Sequence, residues 1–292
     1  FLKSQGIDDA HKESEIIVAH CLGIDKATLY RDNPVLSERD VKEIDTVLQR
    51  RARREPLQYI IGHVEFCGLK IKVGQGILIP RPETELLAEE VIKAVQRSAF
   101  SVQRKSKDSE LQTSNSELRI LDLCTGSGCL ALAIAKHFPD ADVYGIDISK
   151  DAIRYANENA VLNDIRNVTF LKGSLFEPLS QLLTHNSSLL TFNVIVSNPP
   201  YIRSGDILNL QPEINKWEPR NALDGGEDGL SYYRTILSEA RRYLMLSGVI
   251  FLEIGQGQSE EVSVIAMQNG FCNISVIKDY AGIERIVAVR AL

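Results

Sequence analysis

Asp122-Leu123-Cys124-Thr125-Gly126-Ser127-Gly128 closes a short apolar run and passes straight into a helical one. Glycines at a strand-to-helix turn let the backbone approach a ligand closely and leave the first N–H groups of the helix facing it. A plain tight connection would use the same residues, so the turn alone says little. Asp147 adds to it. It stands 19 residues past Gly128, at the end of the next expected strand, where a carboxylate can accept both hydroxyls of a ribose. The spacing is not the G-x-G-x-x-G of a dinucleotide site. Asp122, ahead of the turn, would repel a pyrophosphate but can order water or an ammonium group. The pattern favours a nucleoside cofactor with an amino-acid tail, such as S-adenosyl-L-methionine, over NAD.

A second group is Asn198-Pro199-Pro200-Tyr201, after another strand-like run, Asn193–Ser197. A planar NH2 group is a poor nucleophile because its lone pair is delocalised. The Asn198 side-chain oxygen and the Pro199 carbonyl can accept hydrogen bonds from such a group. They would orient it for in-line attack and stabilise positive charge as the nitrogen becomes tetrahedral. Two prolines stiffen the loop, and the Tyr201 ring can stack on a flat target. Asn-Pro-Pro is also a good turn, but a turn does not require this place after this strand.

The elements that must position these residues follow from hydrophobic periodicity. Residues 1–54 read as helices only. Asp9 caps a first one, Lys26–Arg31 form a second that stops before Asn33-Pro34, and Ser37 with Asp40 starts a third carrying Val41, Ile44, Val47 and Leu48 on one face. From Pro56 to Pro80 alternation takes over, at Tyr59-Ile60-Ile61-Gly62 and at Leu69–Val73, and predicts a β-hairpin. A helix from Pro82 to about Gln96 follows. Residues 98–117, with six serines and mixed charge, read as an exposed, flexible insertion. Beyond it, strands at Arg119–Cys124, Val143–Asp147, Val168–Leu171, Asn193–Ser197, Val249–Ile254, Cys272–Ile277 and Arg285–Val289 alternate with helices at Leu130–His137, Ala152–Leu162, Leu230–Leu244 and Ser259–Met267. Short apolar strands separated by helices imply an α/β fold with a largely parallel sheet covered on both faces.

Composition sets the class. The chain has 292 residues, 44% hydrophobic and 25% charged, which excludes disordered and collagen-like classes. No apolar run approaches the ~18 residues of a membrane span, and none follows a basic N-terminal stretch. The chain opens on Phe1 rather than Met, which leaves the native start open. Five cysteines, an odd number, imply no disulfide framework and fit a reducing, cytoplasmic compartment. No cysteine or histidine spacing suggests a metal site, and no metal is expected. A net charge of −6 disfavours gripping nucleic acid through its phosphates. The one basic cluster, Arg50, Arg51, Arg53 and Arg54, reads as a solvated helix end suited to the helix dipole.

Together with three further stretches, the two motifs resemble the release factor glutamine N5-methyltransferase family (PrmC/HemK), and the resemblance spans nearly the whole chain. The further stretches are Ile79-Pro80-Arg81-Pro82-Glu83-Thr84-Glu85, Ala222-Leu223-Asp224-Gly225-Gly226-Glu227-Asp228-Gly229 and Glu253-Ile254-Gly255-Gln256-Gly257-Gln258. The resemblance implies a seven-stranded, Rossmann-like class I methyltransferase sheet with a small N-terminal helical domain. The division would be residues 1–55 as a substrate-docking domain, 56–82 as a β-hairpin linker and 83–292 as the methyltransferase domain. The implied partner is a class I peptide chain release factor, methylated by a monomeric enzyme on the glutamine of its Gly-Gly-Gln loop. By matching positions, Asp122 and Cys124 to Gly128 would bind the cofactor's methionine part and Asp147 its ribose. Ser174 and Leu175 would flank its adenine. Asn198 to Tyr201 would hold the glutamine amide, with Arg81 and Glu83 near the crevice, and basic residues of the helical domain would meet the partner. Two departures stand out: Cys124 replaces a common glycine, and Ser174 a common acidic residue. Both bear on cofactor affinity more than on reaction class. The rival readings are an adenine-N6 or guanine-N2 methyltransferase of nucleic acid, which would want a basic groove, and a cofactor-binding scaffold without turnover.

Overall fold

A computed structural model of the chain describes residues 1–105, 118–183 and 190–291. Helices α1 (Ala10–Leu22), α2 (Lys26–Asp32), α3 (Glu38–Ala52) and α4 (Leu57–Ile61) come first, then the hairpin β1 (His63–Phe66) and β2 (Leu69–Lys72). After α5 (Pro82–Lys105) the chain runs β3 (Arg119–Leu123), α6 (Cys129–His137), β4 (Asp142–Asp147), α7 (Lys150–Leu162), β5 (Val168–Lys172), α8 (Glu177–Leu183) and β6 (Phe192–Ser197). It closes with α9 (Pro212–Asn215), α10 (Ser231–Ala240), β7 (Leu244–Glu253), α11 (Ser259–Gln268), β8 (Phe271–Lys278) and β9 (Glu284–Ala291). Among the described residues no helix is long and apolar enough to cross a membrane.

The first helices begin where small polar side chains cap them. Asp40 N donates to Ser37 Oγ at 3.2 Å while the Asp40 carboxylate accepts Ser37 N at 2.8 Å, closing the expected capping box of α3. Asp9 makes no side-chain cap bond. Leu2, Ile7, Ile17, Val47 and Ile60 form a small core of their own. The basic cluster does stand at the end of α3, but only Arg50 and Arg53 are open to solvent there. Arg51 is 5% exposed and binds Glu13 at 2.5 Å and Glu213 of α9 at 2.9 Å. Arg54 reaches Glu213 at 2.8 Å, and Arg50 pairs with Glu55. Three of the four charges expected to face solvent or a partner are therefore compensated within the chain, by carboxylates distant in sequence or in the next turn.

Three expected boundaries move. Leu57–Ile61 is one helical turn, not the start of the hairpin; it sends Tyr59 into a core cluster of the sheet and Ile60 into the small one. α5 runs to Lys105, because no glycine or proline interrupts residues 83–105. It thus takes in the first part of the serine-rich stretch, and 106–117 lie outside the described residues. α10 stops at Ala240 and β7 begins at Leu244. Tyr243 and Leu244 continue a helical periodicity, but Tyr243 stacks on Phe176 at 4.8 Å and Leu244 pairs with Phe192.

The seven-stranded sheet has the order β5-β4-β3-β6-β7-β9-β8, parallel from β5 to β7, with β9 antiparallel to both its neighbours. Successive strand residues point to opposite faces. Ile120, Val194, Val196, Val249 and Phe251 accordingly enter the cluster that holds α5, α6, α7 and the hairpin. Leu121, Leu123, Ile195, Ile250 and Leu252 enter the one under α10 and α11. Chain direction across the sheet reverses between β3 and β6, and ligands of open α/β sheets bind in the crevice beyond the strand ends at such a point.

Candidate active site

Strand register brings the expected residues together. Leu123 pairs with Ile146 on one side and Ser197 on the other, and Ser197 pairs with Leu252. The next residues, Asp147, Cys124, Asn198 and Glu253, therefore stand in one row along the carboxyl edge of four adjacent strands. At ~4.8 Å between strands the row is about 15 Å long, the span of a nucleoside with something beside it. Ser197 Oγ donates to Leu123 O at 2.7 Å and ties the two central strand ends together.

The glycine turn is built around Asp122. Asp122 Oδ2 accepts Thr125 Oγ1 at 2.6 Å and Ala131 N, in the first turn of α6, at 3.2 Å. Burial pushes its carboxyl up to about 7 in spite of these donors. Asp147 accepts Gly126 N at 2.9 Å and Ser149 N at 2.8 Å, and burial raises its carboxyl as well. Cys124 sits at φ 59, a left-handed conformation costly for any residue with a Cβ, and burial keeps its thiol protonated. Gly128 takes no part in lining a cavity. A Cβ on it would lie 2.9 Å from Phe170 Cζ and 3.0 Å from Ala156 Cβ, so its lack of a side chain lets α6 close on α7 and β5.

Three cavities meet at Asn198. The first, about 670 Å³, is lined by Cys124, Gly126, Asp147, Ser174, Leu175, Asn198 and Pro200, with Ile77 and Leu78 descending from the hairpin side and Tyr232 from α10. Ile148, Leu175 and Ala152 give it an apolar wall beside the Asp147 carboxylate, the combination that a flat base joined to a ribose requires. The second, about 510 Å³, is lined by Asn198, Pro199, Pro200, Tyr201, Arg81 and Leu78. The third, about 390 Å³, lies over the turn and is lined by Asp122, Cys124, Thr125, Ser127, Arg81 and Thr84. A nucleoside with a charged amino-acid tail fits the first and third together. The second shares Leu78, Asn198, Pro200 and Ala222 with the first.

The Asn198–Tyr201 turn is clamped by the loop at 222–229. Ile202 N donates to Leu223 O at 3.0 Å, and Gly225 N donates to Ile202 O at 2.8 Å. A Cβ on Gly225 would sit 2.7 Å from Tyr201 Cα and 2.8 Å from Pro200 O, so only glycine permits this approach. Gln258 Nε2 donates to Tyr201 O at 3.1 Å, and Gln258 Oε1 accepts Gly255 N at 2.9 Å. Burial pushes the Tyr201 hydroxyl up to about 12, so it stays protonated.

Arg81 reaches the second and third cavities and grips buried Glu218 with Nη2, at 2.6 and 2.7 Å to the two carboxylate oxygens. Glu83 lines none of the three; it faces Arg285 at 3.5 Å. Sequence reasoning assigned no role to Thr84 or Glu253. Thr84 Oγ1 donates to Glu253 Oε2 at 2.8 Å and accepts Asn198 Nδ2 at 3.0 Å. Both lie inside stretches that carry the family resemblance, but no spacing pairs residues so far apart. Asn159 was missed too. Wholly buried on α7, it accepts Lys72 N at 2.7 Å and donates to Ser127 O at 2.9 Å, fixing the hairpin to the glycine turn.

Comparison with known proteins agrees with this geometry. Residues 114–250 match the family model of the methyltransferase domain, and residues 1–62 match that of the PrmC N-terminal domain. A release factor glutamine methyltransferase of Thermodesulfovibrio yellowstonii is 47% identical over 279 residues, covering 96% of this chain and 92% of that one. One from Geobacter sulfurreducens is 40% identical over 292 residues, covering 99% and 93%. Among solved structures, a methyltransferase from Pyrococcus furiosus superposes with a TM-score of 0.52 at 18% identity, over 84% of this chain and 99% of that one, a likeness of fold alone. With such identity along nearly the full length of its relatives, the chain belongs to the release factor glutamine methyltransferase family.

Proposed function

We propose that this enzyme transfers a methyl group from S-adenosylmethionine to the side-chain amide nitrogen of the glutamine in the Gly-Gly-Gln loop of class I peptide release factors. The observation that carries the reading is the place of Asn198, which lines both the cleft beside Asp147 and Leu175 and the cavity bounded by Pro199, Pro200 and Tyr201. S-adenosylmethionine supplies a methyl group on an already charged sulfonium. Asp147 holds the ribose, Leu175 and Ser174 flank the base, and Cys124 to Ser127 with Asp122 face the amino-acid tail. Asn198 Oδ1 and the Pro199 carbonyl accept the two N–H bonds of the target amide, turning its nitrogen lone pair toward the first cleft. Tyr201 packs against the flat amide, and Arg81, held by Glu218, borders the entrance. After transfer the nitrogen gives its extra proton to water.

The helices of residues 1–55 dock the release factor, the segment 56–82 joins them to the sheet, and residues 83–292 carry the chemistry. Support for docking is apolar rather than basic: Tyr30, Val35, Leu36 and Val41 are exposed within a short stretch, with Val35 97% accessible. The cytoplasm is where release factors meet the ribosome. An exocyclic amine of a nucleic acid would suit the same turn, but a net charge of −6 and internally paired arginines argue against it. The test is methyl transfer from labelled S-adenosylmethionine to purified release factor, to its Gln→Ala loop variant and to duplex DNA. Label on the intact factor alone is expected; label on DNA, or on neither, overturns the reading.

A further inference from the structure

The side-chain amide of Asn198 has two ends of opposite hydrogen-bonding character, and only its carbonyl oxygen can receive an incoming NH2 group. The turn backbone does not decide which end faces the cavities. A threonine hydroxyl has a single hydrogen. Thr84 Oγ1 lies 2.8 Å from Glu253 Oε2 and 3.0 Å from Asn198 Nδ2, and both Thr84 and Glu253 are almost wholly buried. When Glu253 is ionised it can only accept, so Thr84 gives it that hydrogen and can only accept from Asn198. The NH2 end is thereby drawn inward, and the carbonyl oxygen is left toward the meeting point of the cavities. Glu253 is itself fixed at the end of β7, where its backbone carbonyl accepts the Tyr233 hydroxyl at 2.9 Å.

We propose that Thr84 and Glu253 are positioning residues that set the direction of the Asn198 amide for methyl transfer, which rests on the reading of Asn198 given above. Neither touches the substrate in this scheme. An inverted Asn198 would present a donor to a donor, so the loss should fall on turnover more than on cofactor binding.

The test compares Thr84→Val, which keeps the shape and removes the hydroxyl, with Thr84→Ser, which keeps the hydroxyl, and with Glu253→Gln, which can offer Thr84 either a donor or an acceptor. Single-turnover methylation of release factor is measured beside S-adenosylmethionine binding by calorimetry. Thr84→Val is expected to lower kcat ~10- to 100-fold, as loss of a preorganised polar group does, a larger change than in cofactor Kd, since Thr84 also borders the cavity over the glycine turn. Thr84→Ser should recover kcat to within about threefold, and Glu253→Gln should fall between. Normal kcat in Thr84→Val overturns the inference, and so does an equal loss in Thr84→Ser, which would mark a packing role. If Thr84→Val fails to fold, Glu253→Gln decides, and wild-type kcat in that variant overturns it. Wild-type enzyme that labels no release factor overturns the functional reading and the inference with it, whereas normal wild-type labelling with no effect in the variants overturns the inference alone.

Discussion

In the proposed reading Asn198 concentrates the chemistry in one carbonyl oxygen, so truncating it should separate binding from turnover. Asn198→Ala is expected to keep S-adenosylmethionine affinity and lower methyl transfer by ~10²–10³, read by calorimetry and by labelled transfer. Glu253 has a second consequence, for stability. Burial is the main cause that raises its carboxyl from 4.5 to about 7; Glu83 works in the same sense, while Thr84, Arg285 and Arg81 oppose it. Between those values the folded chain holds a proton that the unfolded chain has released. The favourable contribution is complete below pH 4.5 and fades as pH rises through about 7. Its size is roughly 3 kcal/mol, and Asp122, also raised to about 7, acts in the same direction. Denaturant unfolding at pH 5 and pH 8 should therefore show lower stability at the higher pH, and Glu253→Gln should remove a large part of that difference.

At the scale of elements, the turn that carries Asn198 depends on a loop pressed against it. Gly225→Ala would force a Cβ within 2.7 Å of Tyr201 Cα. Overpacking of this kind costs ~1–3 kcal/mol, and here the strain falls on the Pro200–Tyr201 backbone. The expected result is a modest fall in Tm with a disproportionate loss of methyl transfer, read by thermal melts beside turnover. Much of this level was legible in the sequence, because strand ends and glycine turns are local signals: Asp147, Asn198 and the 122–128 turn stand where the hydrophobic alternation put them. Pairings across the chain were not legible. Nothing near Arg51 announces Glu213, which lies 162 residues away, so the whole cluster read as solvated when Arg51 and Arg54 belong to an internal ion network. Gly128 had the right residue type and conformation for a ligand turn, yet what it contacts is Phe170 and Ala156. Only three-dimensional proximity distinguishes the two uses.

For the whole molecule, the helices at the N-terminus are tied to α9 through Arg51, Arg54 and Glu213, and expose an apolar stretch at residues 30–41, where the proposed docking would fall. Val35→Glu is expected to raise KM for release factor about tenfold, the scale of one buried apolar contact, while Kd for S-adenosylmethionine is unchanged; steady-state kinetics at varied release factor check it. The bond between Thr84 and Glu253 bridges 169 residues. Closing so long a loop costs entropy before any contact repays it, and such contacts form late. During synthesis the N-terminal helices and the glycine turn leave the ribosome well before β7. A growing chain can therefore acquire its binding surfaces while the Asn198 amide still has no set direction. In the proposed scheme competence for transfer arrives only when the sheet accepts β7, so activity would report that the chain has closed on itself from Thr84 to Glu253.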